Sequence, residues 1–395
     1  METNAVNQSG TLGEQPANRD LWVLAGQSNM EGVGALRQAL APDERIWAFT
    51  SAGAWQVAVE PLHWFWESYT PVHRDLRRAG LAPCDRACGD AELAARERCG
   101  RTHGTGLGLA FARAMADGTG RLIGLIPAAH GATSLEQWNA SLKNEGGRSL
   151  YGAMLDRIAR AGGKLRGVLW YQGEAEGWLP AEAATYRERF AQWVAALRAD
   201  LACPDLPVLT VQIGNTTLTA LESAWNQVRL AQYEMPALVS NLTVTGTVDL
   251  GLVDPIHLHA NALNRLGRRL ARQALALAEG RRERAQGPRV ECIERVSGER
   301  GLGLARICCS GVEGAWSPAD RIAGFTVHDP GGQPLAGNAV FNAMRDPDAP
   351  ADILVWTNAP LREGEIVAYG QGLNPPCNAV DQADMPLCAF YRAVI

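Results

Sequence analysis

The stretch LWVLAGQSNM, residues 21–30, decides the fold that we predict for this chain. Its first half is a short, almost purely apolar run, which is typical of a parallel strand covered on both faces. Gly26 then permits a tight turn, and Ser28 stands where the chain leaves the strand. Ligands bind at the carboxyl ends of the strands in an open α/β sheet. Ser28 is therefore a candidate nucleophile, with capping of the next helix as the alternative interpretation.

Similar apolar runs recur along residues 20–284 and alternate with helical stretches. The further strand candidates are residues 122–126, 167–171 and 207–213. The helix candidates are residues 107–116, 149–161, 181–198, 223–233 and 260–278. This alternation predicts a three-layer α/β/α domain, in which helices cover both faces of a parallel sheet.

Two regions depart from that alternation. Residues 285–395 contain short strand-like runs separated by Gly, Pro, Asn and Asp, which predicts a small all-β, sandwich-like domain. Residues 53–101 form an insertion within the first domain that is rich in Trp, Pro, Arg and Cys. Because this insertion is too long for a simple connection, we expect it to form a lid or a binding wall.

The composition is that of an ordinary soluble globular protein and excludes several other classes. Of the 395 residues, 47% are hydrophobic and 20% are charged, which excludes disorder, collagen and coiled coil for the whole chain. The net charge of −5 provides no positive field that would attract nucleic acid or anionic lipid. No run of about 18 apolar residues predicts a membrane span. We expect neither nucleic acid nor a membrane as partner, and the composition leaves the oligomeric state open.

The nine cysteines bear on the compartment and on metal binding. Their clustering, with Cys84, Cys88 and Cys99 in the insertion and five others near the C-terminus, favours local disulfides in a periplasmic or secreted protein. No signal peptide is visible in residues 1–20, so a cytoplasmic location is the alternative. The spacing of the first three cysteines with His103 also allows a structural zinc site. Disulfides or free thiols are preferred there, and no metal is expected.

A candidate base appears late in the chain. The sequence Asp254-Pro255-Ile256-His257 places a carboxylate three residues before an imidazole, just ahead of the predicted helix 260–278. The carboxylate can hold one ring nitrogen and leave the other to accept the serine proton. A capping arrangement at the helix start is the non-catalytic interpretation, and His259 is the competing base.

Donors for an oxyanion can come from two segments that follow predicted strands. Gly131 lies in AHGATS, where small residues expose the backbone, and Gln172 in QGE offers a side-chain amide. Acyl transfer needs such preorganised donors. Glu174 is interpreted as a supporting group rather than a catalytic acid. In the insertion, Trp55, Trp64 and Trp66 are candidates for stacking on sugar faces, with ordinary packing as the alternative.

The motifs GQSNM, AHGATSLEQW, WYQGEAE and DPIHL, in this order, resemble the four blocks of the SGNH/GDSL hydrolase superfamily. The most similar branch is that of the sialate O-acetylesterase-like and family 6 carbohydrate esterases. The resemblance spans residues 22–272 and implies a flavodoxin-like α/β/α fold. Ala132 departs from the pattern, because the branch has a second glycine there.

By this resemblance, Ser28 is the nucleophile, His257 the base and Asp254 its orienting partner. The implied oxyanion donors are the backbone N–H of Ser28, the backbone at Gly131 and the side chain of Gln172. Gln27 and Asn29 are further candidates for substrate binding.

The implied activity is carbohydrate O-acetylesterase, with an acetylated sugar of the acetylxylan or sialate type as substrate and no cofactor. The alternatives are a lipid esterase or thioesterase of the same superfamily, and a carbohydrate-binding protein without turnover.

Overall fold

Strand β1 (Arg19–Gly26) lies at the centre of a seven-stranded sheet, and all eight of its residues are buried. This computed structural model describes residues 18–82, 85, 88–296, 298 and 301–395. The other strands in its N-terminal part are β2 (Gly34–Ala35), β3 (Ile46–Phe49), β4 (Trp55–Val57), β5 (His103–Thr105), β6 (Leu122–Pro127), β7 (Lys164–Tyr171), β8 (Val208–Val211) and β9 (Leu242–Thr245). The sheet order is β4-β3-β6-β1-β7-β8-β9, and every neighbouring pair is parallel except β3 and β4.

Helices cover both faces of this sheet, as predicted. They are α1 (Ser28–Glu31), α2 (Pro71–Ala79), α3 (Asp90–Gly100), α4 (Gly108–Thr119), α5 (Leu150–Ala161), α6 (Pro180–Asp200), α7 (Glu222–Leu238), α8 (Ala260–Ala278) and α9 (Arg282–Gln286), with 3-10 helices at Leu36–Gln38, Ala140–Arg148 and Ala175–Trp178. Trp22 of β1 packs on Phe111 of α4, with ring centroids 5.0 Å apart. On the opposite face, Trp170 of β7 stacks on Phe190 of α6 at 5.4 Å. Large aromatic rings therefore fill both layers between sheet and helices.

The C-terminal region is built of antiparallel sheets, which confirms the predicted all-β fold. Its strands are β10 (Arg289–Val296), β11 (Gly303–Ser310), β12 (Trp316–Ser317), β13 (Phe325–His328), β14 (Val340–Arg345), β15 (Ile353–Thr357), β16 (Ile366–Tyr369), β17 (Val380–Asp381) and β18 (Phe390–Ala393). A four-stranded sheet, β10-β11-β15-β14, and a three-stranded sheet, β13-β16-β18, share one hydrophobic core. Ile307 and Val355 contribute from the first sheet and Tyr369 from the second.

Buried polar contacts join this region to the first domain. The side chain of Gln212 accepts the backbone N–H of Ala389 at 2.7 Å and donates to its carbonyl at 2.9 Å. Arg229 of α7, which is fully buried, donates to the Gly370 carbonyl at 2.9 Å. The residue boundaries that we predicted for the two domains, 20–284 and 285–395, remain a prediction.

The insertion and the cysteines differ from the sequence expectations. The insertion contains two helices, α2 and α3, which the sequence did not indicate. The eight cysteines that the structure describes are free thiols, so the expected local disulfides are not formed among them. Cys84 lies outside the described residues. Within the described ranges, no helix is both long and apolar enough to cross a membrane.

Candidate active site

Ser28 and His257 meet at the carboxyl edge of the central sheet. Ser28 is the first residue of α1, two residues after the end of β1, and its Oγ lies 2.9 Å from Nε2 of His257. The other ring nitrogen, Nδ1, lies 2.7 Å from Oδ2 of Asp254. A hydroxyl, an imidazole and a carboxylate are thus connected in one chain, which is the arrangement that activates a serine for nucleophilic attack.

The loop before α8 fixes the orientation of Asp254. Its Oδ1 accepts the backbone N–H groups of Ile256 at 2.9 Å and of His257 at 2.8 Å, which leaves Oδ2 for the imidazole. Partial burial acts to raise the pKa of Asp254, but these N–H groups and the His257 ring hold it below its ordinary value. Asp254 is therefore an anion suited to stabilise an imidazolium.

His259 is engaged elsewhere. It occupies the N-cap of α8, where its Nδ1 accepts the backbone N–H of Ala262 at 3.0 Å. His259 thus caps this helix, and His257 is the histidine that contacts Ser28. Ser28 is not a helix cap either, because the N-cap of α1 is Gln27.

Asn29 is buried and forms hydrogen bonds with other residues around the site, so its side chain is not exposed to substrate. It is 1% exposed, and its Oδ1 accepts the backbone N–H of Leu258 at 3.0 Å while its Nδ2 donates to Glu174 at 2.9 Å. Burial raises the pKa of Glu174, and the hydrogen bond from Asn29 opposes that shift. The expectation that Asn29 binds substrate does not fit this position, whereas the supporting role expected for Glu174 does.

The backbone N–H of Ser28 donates no hydrogen bond to any residue that the structure describes. It is thus available to an oxyanion. Gly131 lies beside it, since a Cβ added at Gly131 would stand 3.5 Å from Cβ of Ser28. The N–H of Gly131, however, donates to Oε2 of Glu31 at 2.7 Å. Ala132, which stands where the resembled branch has glycine, adopts φ of +56°, in the left-handed region that favours glycine.

Gln172 does not fit the predicted role of oxyanion donor. Its side chain is fully buried, and its amide nitrogen donates to Oε2 of Glu176 at 2.6 Å and to the Thr133 carbonyl at 3.2 Å. No N–H group is left for an acyl oxygen. Gln27, a candidate for substrate binding, is 4% exposed but does border the cavity above Ser28.

A cavity of about 930 Å³ opens over Ser28 and His257. The insertion forms one wall, with Trp66, Arg77 and Arg101, as we expected of this segment. Trp178, at the end of a 3-10 helix, lies in the lining with Ala175 and Ile256. The ring of Trp178 packs edge to face on Trp225 at 5.5 Å and remains partly exposed.

The three tryptophans that we singled out in the insertion have different positions. Trp66 is buried in the cavity wall, where its Nε1 donates to Glu97 at 2.5 Å. Trp64 borders a second cavity, and the guanidinium groups of Arg98 and Arg101 lie 5.2 and 5.4 Å from its ring. Trp55 belongs to the edge strand β4 and donates to the Ala161 carbonyl. Neither Trp55 nor Trp64 borders the Ser28 cavity, so their expected contact with substrate is not supported.

Possible metal ligands lie elsewhere. Cys84 falls outside the described residues, so the zinc interpretation of the insertion is untested, and Nδ1 of His103 lies 2.8 Å from Oγ1 of Thr102. In the described part of the chain, the donor atoms of Cys292, Glu294 and Cys308 lie within 4.8 Å of one another on the second domain. This group is remote in sequence from the catalytic motifs and has no part in their geometry.

Three charged or aromatic residues that line the cavity were not predicted from the sequence. Glu31 directly follows the quoted GQSNM block, and Trp178 follows QGE within a few residues, so both were within reach of the motifs. Arg77 projects from α2, whose helical structure was not expected. Polar and aromatic residues flanking a catalytic block were the available signal.

Comparison with known proteins places the chain in a family. A family model described as carbohydrate esterase, sialic acid-specific acetylesterase matches residues 18–276. A probable carbohydrate esterase of Arabidopsis thaliana is 29% identical over 283 residues, covering 66% of this chain and 92% of that protein.

Two solved structures extend the comparison. An X-ray structure of an Arabidopsis thaliana protein has a TM-score of 0.51 at 27% identity and covers 66% of this chain and 98% of that chain. A structure described as a novel carbohydrate acetylesterase from Xanthomonas citri has a TM-score of 0.63 at 22% identity, covering 94% of this chain and 80% of that chain, which shows the shared fold. On the family match, this chain belongs to the carbohydrate esterases of the sialic acid-specific acetylesterase family.

Proposed function

We propose that this esterase removes O-acetyl groups from acetylated sugars, of the acetylxylan or sialate type, by a serine mechanism with an acetyl-enzyme intermediate. The observation that carries the proposal is the 2.9 Å contact between Oγ of Ser28 and Nε2 of His257, beneath an open cavity. Family membership supports a carbohydrate ester as the substrate.

The first half-reaction forms the acetyl-enzyme. Oγ of Ser28 attacks the acetyl carbonyl carbon while Nε2 of His257 takes the hydroxyl proton. Asp254 holds the other ring nitrogen at 2.7 Å and stabilises the imidazolium that results. The tetrahedral intermediate collapses, the bond to the sugar oxygen breaks, and His257 returns its proton to that oxygen.

The second half-reaction releases acetate. His257 takes a proton from a water molecule, which attacks the acetyl carbonyl, and collapse of the second intermediate returns the proton to Oγ of Ser28. The N–H of Ser28 is the donor best placed to bond the oxyanion in both steps. The mechanism requires no cofactor.

The cavity lining favours a sugar over a lipid chain. Charged groups from Glu31, Arg77 and Arg101 face the cavity together with the aromatic rings of Trp66 and Trp178. A fatty acyl chain would have to displace water from these charges without replacing its hydrogen bonds, which is costly. Sugars offer both hydroxyl groups and apolar C–H faces to such a lining.

A substrate panel tests the proposal. Acetylated xylo-oligosaccharides, O-acetylated sialic acid, a long-chain nitrophenyl ester and an acetyl thioester would be compared by product release. We expect sugar acetates to be turned over with the highest kcat/KM. Ser28→Ala and His257→Ala should lower kcat by several orders of magnitude, whereas the matched control His259→Ala should have a mild effect. Preference for the long-chain ester or the thioester would overturn the substrate class, and no turnover of any ester would favour a binding protein.

A further inference from the structure

Glu31 shares the cavity with the nucleophile three residues before it. A Cβ added at Gly131 would lie 3.1 Å from Oε2 of Glu31 and 3.5 Å from Cβ of Ser28. The carboxylate and the nucleophile therefore flank the same small space. Glu31 is therefore within reach of groups that neighbour an ester bound at Ser28.

The two oxygens of Glu31 have different environments. Oε2 accepts the N–H of Gly131 at 2.7 Å, which fixes the carboxylate in place. Oε1 has no hydrogen-bond partner among the residues that the structure describes, and the side chain borders the cavity. A fixed carboxylate with one free oxygen is an acceptor that lacks a donor.

Burial and nearby charges both act on the Glu31 carboxylate. Burial raises the pKa of Glu31, while the charges of Arg77 and Arg101 act in the opposite direction. Both arginines are already held by Glu97, so neither is free to turn fully toward Glu31. A hydroxyl donor on a ligand can form a hydrogen bond with the charged free oxygen of Glu31, and such a bond is stronger than one between neutral groups.

We propose that Glu31 is a specificity-determining residue whose free oxygen accepts a hydrogen bond from the sugar hydroxyl next to the acetylated position. This inference rests on the proposed function and adds a requirement to it: the substrate carries a free hydroxyl adjacent to the ester. Simple aryl acetates lack that hydroxyl and gain nothing from Glu31.

The Glu31→Gln variant replaces the hydrogen-bond acceptor that faces the cavity with a hydrogen-bond donor. In Glu31→Gln the single amide oxygen is retained by the N–H of Gly131, so the NH₂ group faces the cavity and cannot accept a hydroxyl proton. Glu31→Ala removes both groups and serves as a second variant. Glu67→Gln is the matched control, because Glu67 is also a carboxylate beside an arginine but lies in the insertion, pairs with Arg98 and borders the other cavity.

The experiment measures discrimination between two substrates. Each variant is assayed with mono-acetylated methyl xylosides and with matched deoxy analogues that lack a hydroxyl neighbouring the ester. The readout is the ratio of the two kcat/KM values, from which any general loss of active enzyme cancels. We expect the wild type to prefer one hydroxyl-bearing substrate by roughly 10- to 100-fold, as for a hydrogen bond to a charged group.

The ratio should fall toward one in Glu31→Gln and Glu31→Ala and should keep its wild-type value in Glu67→Gln. A wild-type ratio near one, or a ratio that persists in both Glu31 variants, would overturn the inference. Failure of the proposed function is a different result, because the wild type would then release no acetate from either sugar.

Discussion

Asn29 and Leu258 join the segment of Ser28 to the segment of His257 through a hydrogen bond, in which the Leu258 backbone N–H donates to Oδ1 of Asn29 at 3.0 Å, and Nδ2 of Asn29 also donates to the Ile256 carbonyl at 3.4 Å. Asn29 and Leu258 each directly follow a catalytic candidate, Ser28 in one case and His257 in the other. The two segments are more than two hundred residues apart in the chain. These contacts therefore fix the separation of hydroxyl and imidazole, on which proton transfer depends.

Asn29→Ala should lower kcat on the order of 10²-fold with a smaller change in KM, because it loosens that separation without touching substrate. It should also cost about 1–3 kcal/mol of unfolding free energy, since buried Glu174 loses the donor that lies 2.9 Å away. Steady-state kinetics and thermal unfolding check both effects. A dominant rise in KM would instead return Asn29 to the role of substrate-binding residue.

The central strand and the catalytic pair were predictable from sequence because both are local patterns. The apolar run of β1 is buried throughout, and Asp254 and His257 lie three residues apart in one loop. The role of Gln172 was not predictable in this way. Whether a side chain at the end of a strand faces the cavity or the interior depends on its neighbours, and Glu176, four residues later, draws the amide inward.

The side-chain positions in the insertion were harder to predict from the sequence for the same reason. Its composition predicted a wall, but which tryptophan faces Ser28 depends on how α2 and α3 pack. Trp64 borders another cavity and has two guanidinium groups close to its ring, whereas Trp178, outside the insertion, lines the same cavity as Ser28. Contacts between residues that are far apart in the chain, such as these arginine–tryptophan contacts, cannot be predicted from the local sequence pattern.

Gln172→Ala should act mainly on stability. The change leaves Glu176 buried without the donor at 2.6 Å, which should cost about 1–3 kcal/mol. Gln273→Ala is the matched control, because Gln273 of α8 is also fully buried and donates to the Val244 carbonyl of β9. We expect the two variants to have similar melting temperatures and kcat values within about tenfold of the wild type. A loss of 10²-fold or more in kcat for Gln172→Ala alone would restore it as an oxyanion donor.

Trp178→Ala should raise KM for acetylated oligosaccharides several-fold and affect a small aryl acetate less, because the partly exposed ring offers a stacking face in the lining of the cavity over Ser28 and His257. Trp64→Ala serves as the control, since guanidinium groups occupy the surroundings of its ring. Thermal unfolding is measured alongside the kinetics. If Trp64→Ala raised KM for oligosaccharides, relative to KM for the aryl acetate, more than Trp178→Ala does, the sugar would have to bind along the second cavity.

Acid should destabilise the protein through two buried histidines, His63 in the insertion and His130 after strand β6. Burial lowers the pKa of His63 to about 3 and that of His130 to about 4. The unfolded chain therefore binds protons below pH 6.5 that the folded chain does not. The stability contribution of His63 is complete above pH 6.5 and is lost as pH falls toward 3, at roughly 1.4 kcal/mol per pH unit.

His63→Leu, which removes the titrating ring at similar volume, should give a shallower fall of unfolding free energy between pH 6.5 and pH 4. Denaturant unfolding at several pH values measures this slope, and the slope is compared rather than the absolute stability. Parallel slopes in the wild type and the variant would show that His63 does not stay neutral in the folded protein.

The most direct test of the central claim is to find the acyl group during turnover. The enzyme is mixed with an acetylated sugar, quenched in acid within milliseconds, digested and analysed by peptide mass spectrometry. The mechanism predicts a transient acetyl group on Ser28, in the peptide that contains GQSNM, and none in Ser28→Ala. An acetyl group on another residue, or acetate release at a normal rate by Ser28→Ala, would contradict it.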